Sequence, residues 1–316
     1  MAMPVVQKRH EANRRLRRLI SLVAPVERDR ATELLAALRH RSSAWRCKSI
    51  QSANRRLGLN QGAPRIYLQV ERDNGEHVSE RCVVVALAIT ADGTKLPVGL
   101  WDGSTENKTV VRSLLADLVG RGLDATEGLL VVIDGAKALA AAVREVFGAH
   151  AAVQRCTLHK RRNIADHLPD KEKTWVDAKL VKAFGHPDPE QGMRNAVHLA
   201  GLLEKTYPGA AASLREGLAE MFTVARLGIH GRLARTLTTS NPIESMISIA
   251  RTTNRNVTRW RDGHMVLRWT AAGMLNAERS FRRIKGYKQM PQLVAALHRH
   301  AHPEHTGGTE TVGTAS

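Results

Sequence analysis

The chain has 316 residues, which at about 150 residues per domain predicts two globular units with a core that needs no disulfides or structural metal. Its 48 lysines and arginines outnumber 30 aspartates and glutamates, and this net charge of +18 predicts a polyanionic partner, most simply nucleic acid. An apolar content of 43% excludes wholesale disorder, while three scattered cysteines and the lack of a signal peptide or membrane-spanning run predict a cytosolic protein.

The first half of the chain changes from helical to extended patterns. Residues 1–60 are rich in arginine and predict a basic helical segment, with a solvated charge run as an equal alternative. Residues 65–71 then alternate apolar and polar side chains, Cys82–Thr90 is a β-branched run, and residues 95–101 follow a tight turn. We therefore predict three consecutive antiparallel strands.

Helices and two further strands follow. A helix is expected to begin after Ser104 and to end at Gly120, since serine is a good N-cap. Leu129–Ile133 is a continuous apolar run, which is typical of a strand buried on both faces, and Ala151–Arg155 predicts another strand after a second helix. This order predicts an α/β fold, a mixed five-stranded sheet with helices packed on it.

The second half of the chain is helical in its periodicity. Residues 165–235 predict an all-helical insertion, which divides the sheet domain into residues 61–164 and residues 236–302, the latter with basic helices. Residues 303–316 are rich in glycine and threonine, have no apolar face to bury and are expected to be disordered.

Two carboxylates stand where a functional site is expected. Asp134 ends an apolar strand, where open α/β sheets place ligand-handling groups, although a turn aspartate that caps the next helix is an equal interpretation. Glu244 follows Asn241 and Pro242, which suit the N-cap and the first helical position, so a capping box explains it structurally. The basic residues around it favour instead a phosphodiester site, in which the carboxylate holds Mg²⁺ and the guanidiniums hold phosphates. They are Arg251, Arg255, Arg259 and Arg261, together with Trp260.

Cys156 and His159 form a CxxH pattern. A zinc site needs four ligands, and the sequence has no CxxC and no second CxxH, so a structural zinc is not expected. With His159, the adjacent Lys160, Arg161 and Arg162 predict a basic edge that faces phosphates. The histidines near the carboxyl terminus are expected to be solvated and to bind metals only adventitiously. They are His298, His300, His302 and His305.

Together these motifs resemble the mutator-type transposases of bacterial insertion sequences, a DDE family with a ribonuclease H-like fold. The resemblance runs from about residue 66 to about residue 287, and its motifs are weak singly and specific in combination. They are VAL at 85–87, GLWDGSTEN at 99–107, RGL at 121–123, VIDGAK at 132–137, VQRC at 153–156, HK at 159–160, RN at 162–163, SNPIESM at 240–246, RNV at 255–257, RW at 259–260 and LRWTAAGML at 267–275.

The resemblance implies a chemistry and a set of roles. In that family three carboxylates hold two divalent ions, Mg²⁺ or Mn²⁺, for strand cleavage and transfer. Asp134 matches the second carboxylate and Glu244 the third, while Cys156 and His159 match a CxxH whose histidine lies close to the pocket. The resemblance also implies double-stranded DNA as substrate, a homo-oligomer on that DNA, and a bacterial, nucleoid-associated location.

The first carboxylate is where the chain departs from the family pattern. The family strand reads Asp-Gly-x-Tyr-Leu-Lys-Val, and here Pro64 occupies the aspartate position. A two-residue turn at Asn74-Gly75, the strongest hairpin signal, pairs position 64 near Val85 and leaves Asp73 at the hairpin tip. A wider loop, the less favoured register, would bring Asp73 to the site instead. The chain is also short at its amino end for this family, so we expect a truncated or degenerate copy with impaired catalysis.

Two functions from different classes remain. The sequence has no GxxxxGK[ST], GxGxxG or GxSxG motif, which argues against nucleotide-driven motors, dinucleotide enzymes and serine hydrolases. The first hypothesis is a DDE-type transposase or a defective copy of one, and the alternative is a non-catalytic DNA-binding remnant of such a transposase. A structural-RNA binder is supported by charge alone.

Overall fold

The computed structural model of the protein describes residues 66–74, 82–103, 108–255, 257 and 263–303. The predicted amino-terminal segment 1–60, Pro64, Ser104 and the tail beyond residue 303 lie outside these residues. Within them the chain is a mixed α/β structure that is mostly helical. None of the helices in the described part of the chain is both long enough and apolar enough to cross a bilayer.

Five strands form one sheet. They are β1 (Ile66–Asn74), β2 (Cys82–Thr90), β3 (Lys95–Gly103), β4 (Leu129–Ile133) and β5 (Ala151–Arg155). Their order across the sheet is β3-β2-β1-β4-β5. β1 pairs antiparallel with β2 and parallel with β4, β3 adds antiparallel to β2, and β5 adds parallel to β4. Because β4 and β5 run in the same direction, their carboxyl ends lie at the same edge of the sheet.

The pairing of β1 with β2 differs from the predicted one. Asn74 pairs with Cys82 and Glu71 pairs with Val85, so the connection spans residues 75–81. The predicted two-residue turn, and with it the pairing of position 64 near Val85, is wrong. A turn at Asn74-Gly75 would pair Ile66 with Val83 and leave most of the buried strand β2 beyond the end of β1. The wider loop satisfies the backbone groups of both nine-residue strands along their whole length.

Helices cover both faces of the sheet. They are α1 (Lys108–Gly120), α2 (Lys137–Phe147), α3 (Thr157–Ala165), α4 (Asp170–Phe184), α5 (Pro189–Leu203), α6 (Pro208–Arg215), α7 (Thr223–Arg226), α8 (Gly231–Leu237), α9 (Asn241–Asn254), α10 (Gly263–Glu278) and α11 (Met290–Ala301). α1 and α2 pack on one face. On the other face α9 and α10 cover β2, while α8 and α11 cover β4 and β5. The side chains of β4 are fully buried because helices lie above and below them.

The chain between β5 and α7 has a hydrophobic core of its own. This part, called here the helical unit (residues 164–222), packs α4, α5 and α6 around buried side chains that include Leu180 and Phe222. The 3₁₀ turn Leu218–Met221 closes it, and α7 returns the chain to β5, where Thr223 Oγ1 donates to the Val153 carbonyl at 2.6 Å. The helical unit therefore leaves the sheet at the end of β5 and comes back beside the same strand.

Candidate functional site

Asp134 lies directly after β4 and is half-buried. Its Oδ1 accepts a hydrogen bond from the Ala136 N–H at 2.9 Å, and among the described residues no group donates to Oδ2. Ala136, rather than Asp134, is the N-cap of α2. Gly135 between them has a φ of +116°, a conformation that glycine adopts readily and that turns the chain out of the strand. Asp134 thus holds a turn with one oxygen and keeps the other open.

Ser240 connects Cys156, His159 and Glu244. Its hydroxyl donates to Glu244 Oε1 at 2.6 Å and lies 3.2 Å from both Cys156 Sγ and His159 Nδ1. A hydroxyl has one proton, and the Glu244 carboxylate and the Cys156 sulfur are its alternative acceptors. Cys156 is in turn tied to β4, since its N–H donates to the Ile133 carbonyl at 2.8 Å. A hydrogen-bonded path therefore runs from the end of β4 to the first turn of α9.

Cys156 is a buried thiol in a polar setting. Burial by itself raises the pKa of the thiol, but side-chain and backbone hydrogen bonds with His159 and Ser240 outweigh it, so the pKa lies below its usual value. The ligand atoms of Cys156, His159 and Glu244 all lie within 4.8 Å of one another. The CxxH motif alone has no third ligand, and the fold supplies one from α9.

The start of α9 differs from the predicted capping box. The N-cap is Ser240 rather than Asn241, and no side chain caps the helix. The N–H groups of Ile243 and Glu244 both donate to the Ser240 carbonyl at 3.0 Å, while the Glu244 carboxylate binds the serine hydroxyl. Since the carboxylate is 28% exposed and binds no backbone N–H of the first turn, capping does not account for it.

Lys160 does not occupy the exposed, phosphate-facing position that the sequence predicts. It is 3% exposed, and its Nζ donates to the carbonyls of Ser213 and Glu216 at 2.7 and 2.8 Å. Burial lowers the pKa of Lys160, and the Glu216 carboxylate, 3.4 Å away, opposes that shift. The Lys160 side chain extends from α3 to the helical unit, where the peptide carbonyls at the end of α6 attract a cation.

Arg155 was named only as part of the VQRC motif, and its contacts with the turn after Asp134 were not predicted. It is 5% exposed, its Nη1 donates to the Gly135 carbonyl at 2.7 Å and to Glu216 at 2.8 Å, and its Nε binds Glu220. Gly217 has a φ of +61°, and a Cβ there would overlap the Arg155 guanidinium. Arg155 therefore anchors the turn after Asp134 to the helical unit. Its carboxylate partners lie far along the chain, so no local signal marks them.

The other predicted DNA-binding residues fall into three groups. Arg161 forms a bidentate ion pair with Asp177 at 2.5 and 2.6 Å, and this pair raises the pKa of Arg161. Arg162 beside it is exposed. Arg251, in the last turn of α9, and Arg255, just after it, are also exposed. The remaining three, Arg259, Trp260 and Arg261, lie outside the described residues.

β1 brings a further acidic position to the same edge of the sheet. Val70 pairs in parallel with Ile133, so Glu71 is the β1 position level with Asp134. Asp73 lies two residues further along and pairs with Val83 of β2. Sequence reasoning passed over Glu71 because it depended on the wrong hairpin register.

Comparisons with known proteins agree with one another. The family model described as "Transposase, Mutator family" matches residues 25–283. The transposase for insertion sequence element IST2 of Acidithiobacillus ferrooxidans is 31% identical over 170 residues, which cover 54% of this chain and 56% of that protein. The transposase for IS6120 of Mycolicibacterium smegmatis is 30% identical over 190 residues, 59% of this chain and 55% of that protein. The transposase for IS256 in transposon Tn4001 of Staphylococcus aureus is 30% identical over 174 residues, 54% of this chain and 43% of that protein. The chain spans about half the length of the curated relatives it matches.

Proposed function

The chain belongs to the mutator family of transposases, and on that premise we propose that it is a DDE-type DNA transposase with a ribonuclease H-like catalytic fold. Double-stranded DNA is its substrate, at transposon ends and target, and it acts there as a homo-oligomer. The sheet order, with three antiparallel strands and two further parallel ones, supports this fold. The observation that supports the proposal most is the hydrogen-bonded path from the end of β4, directly before Asp134, through Cys156 and Ser240 to Glu244.

The two carboxylates fit a hard divalent ion. Asp134 uses Oδ1 in its own turn and Glu244 uses Oε1 for the Ser240 hydroxyl, so each carboxylate keeps one oxygen as a ligand. Oxygen ligands are those that Mg²⁺ and Mn²⁺ prefer. When bound, two such ions activate the attacking water or 3′-hydroxyl and stabilise the leaving oxygen.

The residues around the carboxylates orient them. Ser240 holds the Glu244 carboxylate in one position, and Cys156 and His159 hold Ser240. The His159 Nδ1 atom is also 3.8 Å from the same carboxylate oxygen. Arg162, Arg251 and Arg255 are exposed, and their guanidinium groups suit contacts to the DNA backbone. In this proposal residues 165–235 are an insertion into the catalytic domain. The separate core of residues 164–222 supports it for that part, whereas Val224, Ile229 and Leu233 pack in the core of the sheet.

Pro64 favours a second candidate function, a DNA-binding remnant without catalysis. The resemblance to the family places the first carboxylate at this proline. Asp134 and Glu244 alone would hold one ion weakly, because a second ion lacks a bridging anion. The β1 register offers Glu71 as the replacement, since it is level with Asp134.

A plasmid-nicking assay separates the two functions. The expectation of impaired catalysis depended on Pro64, and with Glu71 as the replacement we expect the unmodified chain to nick supercoiled DNA in Mg²⁺ or Mn²⁺. Asp134→Asn or Glu244→Gln should lower the rate about 1,000-fold or more, which corresponds to about 4 kcal/mol. Glu204→Gln, at an exposed ion pair with Arg215, is the matched control and leaves the rate unchanged. DNA binding without metal-dependent nicking by the unmodified chain would overturn the enzyme and support the remnant.

The same assay identifies the first carboxylate. Glu71→Gln is expected to abolish nicking if the β1 register carries the ligand, with Asp73→Asn as its neighbour control. The opposite pattern would move the ligand to Asp73. Each variant is first checked for DNA affinity, because loss of a metal ligand leaves the phosphate contacts in place.

A further inference from the structure

We propose that Glu127, His298 and His302 form a binding site for a divalent transition-metal ion, with Zn²⁺ the ion that these ligands suit best. Their ligand atoms all lie within 4.8 Å of one another. His298 Nε2 is 3.5 Å from Glu127 Oε2, and the rings of His298 and His302 have centroids 4.8 Å apart. Glu127 precedes β4 and Asp134 follows it, so this site lies at the opposite end of the sheet from the carboxylates.

The chemistry of the three ligands selects the ion. Imidazole nitrogens with a carboxylate oxygen suit Zn²⁺ and its neighbours in the first transition row, whereas Mg²⁺ prefers oxygen alone. Two ligand atoms on a tetrahedral zinc lie about 3.3–3.5 Å apart, given bonds of about 2.0–2.1 Å. The separation of His298 Nε2 and Glu127 Oε2 already has this value. Three protein ligands leave a fourth position for water or for His150, whose ring centroid is 6.4 Å from that of His302.

The ligands are held on elements that pack tightly against each other. Gly128 has a φ of +92°, and a Cβ there would overlap the carbonyl of Leu297, so the loop that bears Glu127 lies directly on the backbone of α11 beside His298. Leu297 is itself buried in the core with Leu130 of β4. This packing fixes Glu127 relative to His298 without help from their own side chains.

The spacing of the histidines places two of them on one face. His298 and His302 are four residues apart, which is the separation of neighbours on a helix surface. His300 lies between them in sequence and is exposed on another face. An exposed ion pair between His298 and Glu127 contributes little by itself, whereas one metal ion would bind all three side chains at once.

Zinc titration of the full-length chain tests the site. We expect Zn²⁺ to raise the unfolding temperature and to bind with an affinity that His298→Gln, His302→Gln or Glu127→Gln each lowers about tenfold or more. His300→Gln is the matched control on the same helix and leaves the affinity unchanged. Equal zinc affinity of the unmodified chain and the double variant His298→Gln/His302→Gln would overturn the proposal, as would a loss in His300→Gln as large as in the others.

Co²⁺ as a spectroscopic probe separates this site from the cluster at Cys156, His159 and Glu244. Binding at Glu127, His298 and His302 gives visible d–d absorption without a thiolate-to-metal charge-transfer band. The double variant is expected to lose that absorption, and a Cys156→Ser variant to keep it. Absorption that always carries the thiolate band and survives the double variant would place the ion at the cysteine and refute the site.

Discussion

Arg155 and Lys160 face the helical unit, whereas Cys156 and His159, which lie between them in sequence, face α9. The first pair is buried and charged, and Glu216 binds both of its members. The second pair meets a partly exposed carboxylate that keeps an oxygen open. One short segment therefore serves two environments. The buried, charged pair Arg155 and Lys160 holds the sheet and the helical unit together, whereas Cys156 and His159 border the candidate site.

The largest expected effect is on stability and comes from Arg155, a member of the buried pair. Arg155→Leu removes the partner of Glu216 and Glu220 and leaves the Gly135 carbonyl without its donor. Loss of one member of a buried charged network costs about 3–5 kcal/mol, and we expect the free energy of unfolding in urea to fall by that amount.

Arg144→Leu is the matched control for Arg155. Arg144 also binds Glu220, but its side chain is 60% exposed, so its loss should cost less than about 1 kcal/mol. Losses of equal size in the two variants would contradict the division between buried and exposed partners.

The next largest effect is expected on catalytic activity, from a change at Ser240 in the candidate site. Ser240→Ala removes the hydroxyl that orients Glu244 and contacts His159. We expect kcat for nicking to fall about 10–100-fold, as for other partners that orient a metal ligand, with DNA affinity unchanged. The free energy of unfolding should fall by only about 1 kcal/mol.

Two variants sharpen the test at Ser240. Ser240→Thr keeps the hydroxyl and should recover much of the rate. Ser213→Ala changes a serine whose contact with Lys160 is through its backbone carbonyl, so the rate should stay the same. A fall in DNA affinity instead of kcat would show that Ser240 does not act through Glu244.

A smaller effect is expected in acid. Burial alone would raise the pKa of Glu216, but Arg155 and Lys160 lower it below its usual value of 4.5. The folded state then releases this proton at a lower pH than the unfolded state does. Stability therefore rises with pH across that interval and is lost as pH falls from 4.5 through the lowered pKa.

The acid effect is measured by urea unfolding between about pH 3 and pH 5. Glu216→Gln should flatten the dependence of the unfolding free energy on pH in this range. Glu204→Gln, at an exposed ion pair, should leave it as it is. An unchanged slope in the Glu216 variant would mean that its ion pairs do not stabilise the folded state.

The smallest effect concerns DNA affinity. Each phosphate contact contributes about 0.9 to the slope of log K against log salt. Arg162→Ala should reduce the magnitude of that slope by about this amount, because Arg162 is exposed. Lys160→Met should leave it unchanged, because Lys160 binds protein carbonyls. A reduced slope for Lys160→Met would show that Lys160 contacts DNA, and would contradict the contrast between its buried position and the exposed position of Arg162.

Sequence patterns were sufficient where structure is local. The bounds of β2, β4 and β5 agree with the prediction because each is an apolar, β-branched or alternating run between turn residues. The register of β1 was not predictable from Asn74-Gly75, since the whole length of β2 decides it. The backbone hydrogen bonds along a buried strand therefore stabilise its register more than a local turn preference does.

The candidate site also has residues that local sequence motifs identified and others that only the tertiary contacts reveal. Asp134 and Glu244 were selected by motif, and their roles in catalysis remain predictions. Ser240 as the link between Cys156 and Glu244, and Arg155 as the anchor of the turn, depend on contacts between residues that are 84 and 61–65 positions apart. No periodicity within a segment reports such contacts.

The hydrogen bonds between Cys156 and Ser240 also have a consequence for the order of folding. An unstructured loop of 84 residues would cost about 4 kcal/mol of chain entropy to close. The helical unit replaces that loop with a folded body whose two ends already lie together. On a ribosome Asp134 emerges before the helical unit and Glu244 after it, so the helical unit can fold before α9 is made. A chain synthesised only as far as the helical unit therefore holds Asp134 without Glu244.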